Sequence, residues 1–337
     1  MSTCPSRSGP VTPVGAADVR VLVTGGAGFI GSNYVRHMIA SSDDEIVILD
    51  ALTYAGHRST MSDLLVDPRV TFVCGDITDR NAVQTAMRGC RRVVHFAAES
   101  HVDRSIVGPD AFVATNCGGT NVMCAVAQHV EVERFVHIST DEVYGSVETG
   151  SSVETDPLAP RSPYSASKAG SDLIALSYHS TYGLPVVITR STNNFGPYQH
   201  PEKLIPLFTT NLLAGRTVPL YGDGENVRDW CPVADNCAAI DLVARSGDPG
   251  EIYNVGAGYE FTNRQITARL LEHIGRDLSA IEVVEDRLGH DRRYSVDTSK
   301  LRSLGWTGPS DFDDALDKTV GWYRDNAAWW EPIKAGS

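Results

Sequence analysis

Two residues four positions apart, Tyr164 and Lys168, form the pair in this sequence best suited to move a proton. They follow Ser162 and Pro163, which are typical of a helix N-cap and first helical position. Both side chains are therefore expected on one face of a helix. A lysine ammonium near a phenol favours the phenolate, which can act as a base toward a hydroxyl group. The pattern is common on helices, so by itself it is only a hypothesis of catalysis.

A second group of polar residues, Thr140, Asp141 and Glu142, follows the apolar run 134–139, which predicts a buried strand. Open α/β sheets bind ligands at the carboxyl ends of their strands. Two adjacent carboxylates in a partly dry cleft push their pKa values apart, so they can divide the roles of acid and base. Without the Tyr-Lys pair, the default interpretation would be a solvated acidic turn.

A glycine motif, Gly26-x-Gly28-x-x-Gly31 with Gly25 before it, lies between a predicted strand and a predicted helix. This context suits a tight turn, close approach to a pyrophosphate, and helix N–H groups that point at it. Asp50 ends the next predicted strand about 20 residues later, where a carboxylate accepts hydrogen bonds from ribose hydroxyls and repels a 2′-phosphate. The motif therefore predicts NAD rather than NADP, and a coincidental glycine turn is the alternative.

Strands predicted at 19–24, 45–50, 70–74, 92–96, 134–139 and 186–189 alternate with helices predicted at 32–40, 81–88, 119–129 and 163–182. This alternation predicts an α/β protein with a Rossmann-type, doubly wound parallel sheet. We expect a disordered extension over 1–17 and an NAD-binding domain over 18–190, completed by a later segment near 237–257. Residues 191–330 are loop-rich at first and predict a smaller C-terminal substrate-binding domain.

The 337 residues are 42% hydrophobic and 21% charged, with a net charge of −13, which is ordinary for a soluble globular protein. The acidic balance argues against nucleic acid and anionic membranes as partners, so a phosphate site would need a local basic cluster. No apolar run reaches the roughly 20 residues of a membrane span. The scattered cysteines include no C-x-x-C pair, so we expect a cytoplasmic protein without a metal site.

Six motifs occur in a fixed order: GGAGFIG, FAAESHVDRS, STDEVYG, SPYSASK, NNFGPYQHPEKLIP and RDW. In this order they resemble the dTDP-glucose 4,6-dehydratases of the extended short-chain dehydrogenase/reductase family. The resemblance implies a hydro-lyase that converts dTDP-glucose to dTDP-4-keto-6-deoxyglucose and water, a step of deoxysugar biosynthesis. Bound NAD would be regenerated in each turnover.

The resemblance also implies roles for the catalytic residues. Tyr164, supported by Lys168 and Thr140, would take the proton of the sugar's 4-hydroxyl. Glu142 would remove the proton at carbon 5, and Asp141 would protonate the departing 6-hydroxyl. Epimerases of the same fold typically carry small hydroxyl residues in place of the acid pair.

Binding residues follow from the same resemblance. The implied cofactor contacts are Gly25, Gly28, Phe29, Ile30, Gly31, Asp50, Thr53, Asp76, Ile77, Phe96, Ala97, Ala98, Ser100, Thr115, Tyr164, Lys168 and Asn194. The implied nucleotide-sugar contacts are Ser100, Thr140, Asn193, Lys203, Leu204, Pro219, Leu220, Tyr221, Arg228, Asn263, Asp286, Arg287, Leu288, Gly289 and His290. The stretch 231–236 departs from the family pattern by carrying Pro232, which is expected to reshape the cavity wall near the nucleotide.

The helices predicted at 119–129 and 163–182 carry apolar residues around more of their circumference than one buried face requires. In relatives, the corresponding helices pair across a homodimer as a four-helix bundle, so a homodimer is expected. Two alternatives to the dehydratase remain open at this point. One is a UDP-sugar epimerase or dehydratase on the same fold, and the other is a nucleotide-sugar-binding protein with impaired catalysis.

Overall fold

The computed structural model describes residues 19–286 and 291–336, so the predicted extension over 1–17 lies outside the described residues. The strands are β1 (Arg20–Thr24), β2 (Glu45–Asp50), β3 (Val70–Cys74), β4 (Arg92–His95), β5 (Arg134–Thr140), β6 (Val186–Ser191), β7 (Asn193–Phe195), β8 (Val218–Tyr221), β9 (Val227–Pro232), β10 (Ile252–Val255), β11 (Glu260–Thr262) and β12 (Ile281–Val284). The α-helices are α1 (Phe29–Ser41), α2 (Arg80–Met87), α3 (Val102–Val107), α4 (Pro109–Phe112), α5 (Thr120–His129), α6 (Pro163–Tyr182), α7 (Leu204–Leu213), α8 (Val233–Ser246), α9 (Asn263–Ile274), α10 (Ser299–Ser303), α11 (Phe312–Asp325) and α12 (Ala327–Ala335).

Seven of these strands form the central sheet in the order β10-β6-β5-β4-β1-β2-β3, and all neighbouring pairs are parallel. Parallel strands require crossover connections, which the helices between them supply. The predicted α/β class with a Rossmann-type sheet is therefore confirmed. β10 joins the sheet beside β6 only after the chain has passed through β7, β8, β9 and α8.

Both faces of the sheet are covered, and this explains why its strands are apolar in nearly continuous runs. Alternate side chains of β1 and β2 point to opposite faces, so Val21 and Ile46 join one core cluster while Leu22 and Val47 join the other. α1 and α8 pack together on the first face, and α5 packs on α2 and α6 on the second.

α6 begins and ends where its sequence indicates. The Ser162 hydroxyl accepts a hydrogen bond from the Ser165 N–H, Pro163 occupies the first helical position, and Gly183 ends the helix in a left-handed conformation. The predicted helix over 163–182 is confirmed at both ends. Because these caps hold its first turn, the side chains near its N-terminus have fixed positions.

Other boundaries differ from the predictions by a few residues. α1 begins at Phe29 rather than 32, directly after the glycine turn, and β6 extends two residues past the predicted end. The predicted helix over 119–129 starts at Thr120 and is preceded by a π-helical segment, Val113–Gly119, which the apolar periodicity did not predict. Such segments widen a helix locally and occur mostly as short insertions.

The C-terminal part contains two small sheets, ordered β11-β9-β7 and β12-β8. They pack with α7, α9 and α11 around a third core cluster. The aromatic residues near the C-terminus contribute to packing, because Tyr323 and Trp330 are buried and Tyr198 makes tilted and edge-on ring contacts with Trp322 and Trp329.

Across 19–286 and 291–336, no helix has the length and apolar character needed to cross a bilayer. Four cysteines are buried free thiols, as expected for apolar runs, namely Cys90, Cys124, Cys231 and Cys237.

Candidate active site

The two predicted catalytic groups meet at the carboxyl end of the central sheet. β5 ends at Thr140, a 3₁₀ turn over Asp141–Tyr144 follows, and α6 starts beside it at Pro163. They open onto a cavity of about 340 Å³ that reaches from the sheet to β8 and β9. This is the position at which doubly wound sheets bind ligands.

Tyr164 lies in this cavity, and the side-chain hydroxyls of Ser100 and Thr140 are close to its phenol oxygen. Burial raises the pKa of the phenol, and the nearby Glu142 and Asp141 raise it further. The two hydroxyl partners act in the opposite direction, since they stabilise the phenolate. A base at this position therefore needs additional positive charge.

Lys168, one helical turn further along α6, is the nearby source of that charge. Its Nζ is buried and donates a hydrogen bond of 2.7 Å to the carbonyl oxygen of Ile138. Burial lowers the pKa of Lys168 to about 8, and the carboxylate of Asp172 opposes this shift. The Lys168 side chain therefore carries its positive charge at neutral pH, and it is buried behind the residues that line the cavity.

Asp141 is buried, with only 3% of its surface exposed. Its Oδ1 accepts a hydrogen bond from the Thr140 hydroxyl at 3.1 Å, whereas Oδ2 has no hydrogen-bond partner among the described residues. Burial, then the charge of Glu142, raises the pKa of Asp141 to about 8. Asp141 thus carries a proton at neutral pH and can donate it from Oδ2, which is the behaviour of a general acid.

Glu142 also lines the cavity but is less buried than its neighbour. Its backbone N–H donates to the Thr140 hydroxyl at 3.3 Å, so Thr140 contacts both carboxylate residues as well as Tyr164. The protonated Asp141 and the more exposed Glu142 form a pair with different environments. Such a pair can supply one acid and one base within a single site.

A second cavity, of about 120 Å³, lies over the glycine turn between β1 and α1. Gly25 has a φ of +71°, and a Cβ there would come within 2.7 Å of the Ala97 nitrogen. A Cβ on Gly31 would overlap the carbonyl oxygen of Gly25. Only glycine permits this close packing of turn, strand and helix, which leaves backbone facing the cavity.

Asp50 lies on the wall of the second cavity at the end of β2. Its Oδ2 accepts a hydrogen bond of 2.9 Å from the Ala27 N–H, and its Oδ1 accepts one of 2.8 Å from the Leu52 N–H. Each carboxylate oxygen retains a lone pair for a hydroxyl donor. A glycine cradle at a helix N-terminus with a carboxylate beside it fits the pyrophosphate and ribose of a dinucleotide.

The two cavities divide the predicted cofactor residues. The smaller cavity is lined by Gly25, Gly28, Asp50, Thr53, Asp76, Ile77, Ala97, Ala98 and Thr115. The larger cavity is lined by Phe29, Ile30, Ser100, Tyr164 and Asn194. Gly31, Phe96 and Lys168 are not among the described residues that line either one.

The predicted nucleotide-sugar residues converge on the larger cavity. It is lined by Ser100, Thr140, Asn193, Lys203, Leu204, Pro219, Leu220, Tyr221, Arg228 and Asn263. Asp286 is not among the described lining residues and lies against Gly222 instead. Arg287, Leu288, Gly289 and His290 lie outside the described residues.

Arg228 supplies positive charge to the larger cavity. Its guanidinium donates to the carbonyl oxygens of Val227 and Asp291, at 2.7 and 3.0 Å, and lies over the ring of Tyr294 at 4.5 Å. Lys203 lines the same cavity. Both cations are therefore available to a diphosphate bound there, although the chain as a whole is acidic.

Several lining residues were not predicted from the sequence, among them Ser139, Thr192, Gln199, Glu202, Trp230 and Tyr294. Trp230 follows Arg228 at the spacing of one strand face, so strand periodicity would have identified it. Tyr294 comes from a segment without clear periodicity and could not be identified in this way. His101 and Asp103 also line the cavity.

The unusual stretch 231–236 lies behind the cavity wall. Arg228 and Trp230 line the cavity, whereas none of the residues 231–236, all of which the structure describes, does so. Pro232 ends β9 opposite Phe195 of β7 and directly precedes α8. The proline therefore coincides with a strand end, where its missing N–H costs least.

Comparison with known proteins gives the same assignment as the motifs. A family model described as GDP-mannose 4,6 dehydratase matches residues 22–319. A dTDP-glucose 4,6-dehydratase from Streptomyces antibioticus is 53% identical over 323 residues, covering 94% of this chain and 96% of the relative.

Solved structures are also similar to this chain over most of its length. The crystal structure of DesIV, a dTDP-glucose 4,6-dehydratase from Streptomyces venezuelae with NAD and dTDP bound, has a TM-score of 0.91 and 55% identity, covering 93% of this chain and 99% of that one. A UDP-glucose 4-epimerase from Thermus thermophilus in complex with NAD has a TM-score of 0.84 at 34% identity, covering 91% and 99%. The resemblance seen in the motifs is confirmed, and the chain belongs to the family of nucleotide-sugar dehydratases that the GDP-mannose 4,6 dehydratase model describes.

Proposed function

We propose that this chain is a dTDP-glucose 4,6-dehydratase that uses bound NAD. The observation that carries the proposal is the buried Asp141 with its free Oδ2, beside Glu142 and Tyr164 in one cavity. An enzyme that only oxidises and reduces a sugar needs the tyrosine but neither carboxylate. Elimination of water beside a ketone needs both an acid and a base.

NAD would be held by the glycine turn and Asp50 in the smaller cavity, and by Phe29 and Ile30 in the larger cavity. Bound NAD would supply the hydride acceptor for carbon 4 of the sugar and the hydride donor for carbon 6. Phe29 and Ile30, which open α1, line the larger cavity and would place the reacting ring next to the sugar. The remaining residues of the predicted cofactor set are proposed as contacts on the same basis.

In the first step, Tyr164 would take the proton of the sugar's 4-hydroxyl. Ser100 and Thr140 hold the phenol oxygen in place, and both line the cavity where the sugar would lie. Burial and the carboxylates raise the free energy of the phenolate, and the ammonium of Lys168, one turn along the same helix, would lower it. The predicted catalytic roles of these residues are thereby given a geometric basis.

In the second step, Glu142 would remove the proton at carbon 5, which the new ketone at carbon 4 has made acidic, and would return a proton to carbon 5 when hydride is delivered to carbon 6. Asp141 would protonate the 6-hydroxyl, so that it leaves as water. The raised pKa of Asp141, about 8, keeps the required proton on this residue at neutral pH. Lys203 and Arg228 would bind the diphosphate, and the other lining residues of the predicted set would surround the nucleotide.

We also propose that residues 18–190, with the later segment near 237–257, form the NAD-binding domain, and that 191–330 mainly bind the nucleotide sugar. β10 pairs with β6 in the central sheet, which supports including the later segment in the first domain. β8, which carries Pro219, Leu220 and Tyr221, pairs only with β12 among the described strands and supports the second.

A homodimer through α5 and α6 is part of the proposal. α6 exposes Leu173 (59%) and Tyr182 (61%), and Val113 of the adjacent π-helical segment is 56% exposed. Neighbouring exposed apolar side chains on packed helices are typical of an interface. Light scattering at micromolar concentration is expected to give twice the chain mass, and Leu173→Asp is expected to give monomers. A monodisperse wild-type monomer would contradict this part of the proposal.

The experiment that tests the function uses purified protein, dTDP-glucose deuterated at carbon 4, and no added NAD. Loss of one water with deuterium at carbon 6 is expected, and mass spectrometry with NMR locates the label. A 4-epimer formed without water loss would overturn the roles of Asp141 and Glu142. A parallel incubation with UDP-glucose measures the preference for the nucleotide base.

A further inference from the structure

A buried charged network lies under the active site, and none of the steps above uses it. Arg190 of β6 is 2% exposed and sits between Ser139 of β5 and Asn254 of β10. It points to the same sheet face as Ile188, which packs beneath α6. The strand thus changes from apolar to charged on this face as it approaches the catalytic end of the sheet.

The guanidinium of Arg190 has two side-chain partners. Its Nε donates a hydrogen bond of 2.9 Å to Asp172 Oδ2, and its Nη1 donates one of 2.9 Å to the Tyr144 hydroxyl. The Tyr144 hydroxyl in turn donates to Asn254 Oδ1 at 2.8 Å. All four side chains are buried, so these contacts are shielded from solvent.

The two partners belong to the two catalytic elements. Asp172 is four residues after Lys168 on α6, the helix that also carries Tyr164. Tyr144 is two residues after Glu142 and ends the 3₁₀ turn that starts at Asp141. A single planar group therefore contacts the helix of the oxidation step and the turn of the elimination step.

We propose that Arg190 is a positioning residue that couples the two halves of the active site, through Asp172 to the Tyr164–Lys168 helix and through the Tyr144 hydroxyl to the Asp141–Glu142 turn. The assignment of one step to each half rests on the proposed function, whereas the structural coupling rests only on the contacts of Arg190. A guanidinium suits this role because its donors have a fixed planar geometry, which a lysine lacks.

The charges around Asp172 support its place in the network. His137 Nε2 lies 3.4 Å from Asp172 Oδ1, and Arg190 faces Oδ2. Burial alone would raise the pKa of Asp172, but the adjacent His137 imidazole and the charge of the Arg190 guanidinium lower it. Asp172 is therefore a carboxylate, and its charge raises the pKa of Lys168 against the effect of burial. His95 and His137 are titratable groups that also interact with Lys168.

Tyr144→Phe tests the coupling with the smallest change. It removes the hydroxyl that joins the turn to Arg190, and it keeps the ring and the Asp172–Arg190 ion pair. We expect kcat to fall by roughly ten- to hundredfold with little change in KM, because the turn that carries the acid and base is displaced. Oxidation should continue while elimination slows, so reduced nicotinamide should accumulate during turnover and be visible by its absorbance.

Tyr253→Phe is the matched control. Tyr253 is also buried on β10, one residue from Asn254, and its hydroxyl accepts a hydrogen bond of 3.0 Å from the Asp248 N–H outside the site. This variant loses one tyrosine hydroxyl of similar burial and should keep wild-type kcat without accumulating reduced nicotinamide. Equal effects of the two variants would overturn the proposal.

Hydrogen–deuterium exchange separates the coupling from the proposed chemistry. In Tyr144→Phe, backbone amides of 139–146 should exchange faster than in wild type and in Tyr253→Phe. In Arg190→Lys, faster exchange is expected in both 139–146 and the first half of α6. Unchanged exchange in these peptides would overturn the coupling even if the wild type is an active dehydratase. A wild type that does not turn over dTDP-glucose would overturn the proposed function and leave the exchange result to decide the coupling.

Discussion

The two cavities of this protein are built in opposite ways. The smaller one, over the glycine turn, is lined mainly by backbone and small residues such as Gly25, Gly28 and Ala97. The larger one is lined by long and titratable side chains from β5, α6, β8, β9 and the loops between them. The first depends on the local conformation of short segments, and the second on distant segments meeting correctly. Substitutions in the smaller cavity should therefore change the retention of NAD, whereas substitutions in the larger cavity should change kcat or KM.

The largest effect is expected at the acid pair of the larger cavity. Asp141→Asn and Glu142→Gln each remove one proton transfer, so kcat should fall by about 10² to 10⁴, with NAD content unchanged. Product formation and bound NAD are measured on the same samples. Glu148→Gln, which changes an exposed carboxylate six residues away, is the control and should retain wild-type kcat. Loss of NAD from the first two variants would contradict the separation of the cavities.

The next largest effect is expected at the glycine turn that contains Gly25, Gly28 and Gly31, and it should appear in stability and in the retention of NAD. In Gly31→Ala, the new methyl group would overlap the Gly25 carbonyl oxygen, so the turn must shift. We expect a loss of about 1–3 kcal/mol in the free energy of unfolding and loss of NAD on gel filtration. Gly321→Ala is the matched control, because nothing lies within 4 Å of its added Cβ in α11. It should keep NAD and gain about 0.5–1 kcal/mol. A stable Gly31→Ala variant that retains NAD would show that close packing is not required here.

A smaller, graded decrease in kcat is expected when the pH is raised. The pKa of Asp141 is raised to about 8, and that of Lys168 is lowered to about 8. Above this pH, Asp141 loses the proton that it donates and Lys168 loses the charge that stabilises the phenolate. Hence kcat should decrease by at least roughly tenfold per pH unit once either group titrates. Retention of NAD should stay constant over the same range. A kcat that stays level well above pH 8 would contradict the role of the protonated Asp141.

The smallest effect is expected at Pro232. This residue departs from the family pattern, but it ends β9 behind the cavity wall rather than in it. Pro232→Val should change the KM for the nucleotide sugar by no more than about twofold and stability by less than about 1 kcal/mol. Steady-state kinetics and a denaturant titration measure the two quantities. A large rise in KM would mean that the proline shapes the nucleotide site through Trp230.

The sequence predicted the central sheet and the position of the glycine turn well, for a physical reason. Gly25, Gly31 and Asp50 act through short segments whose strand-turn-helix context is visible in the sequence. The caps at Ser162 and Gly183 likewise mark the ends of α6 locally. The resemblance of the motifs indicated many of the residues that line the larger cavity. The periodicity of apolar residues alone would not have indicated them.

What the sequence could not predict depends on contacts between distant segments. Nothing local indicates that Arg190 faces Asp172 and Tyr144, because the three residues lie in a strand, a helix and a turn that are separate in the sequence. The raised pKa of Asp141 depends on burial, which the adjacent strand only partly indicates. The π-helical segment Val113–Gly119 was missed because apolar periodicity reports a helix without its hydrogen-bond register.

The late return of β10 to the sheet affects how the chain folds during synthesis. Until residues 252–255 emerge, the hydrogen-bonding edge of β6 on the far side from β5 remains open. This edge carries the apolar sequence Val186, Val187 and Ile188, which is the kind of strand that pairs with other chains when exposed. A ribosome-bound fragment that ends between β6 and β10 would therefore be the most aggregation-prone intermediate. Slowing synthesis within that interval should reduce the soluble yield.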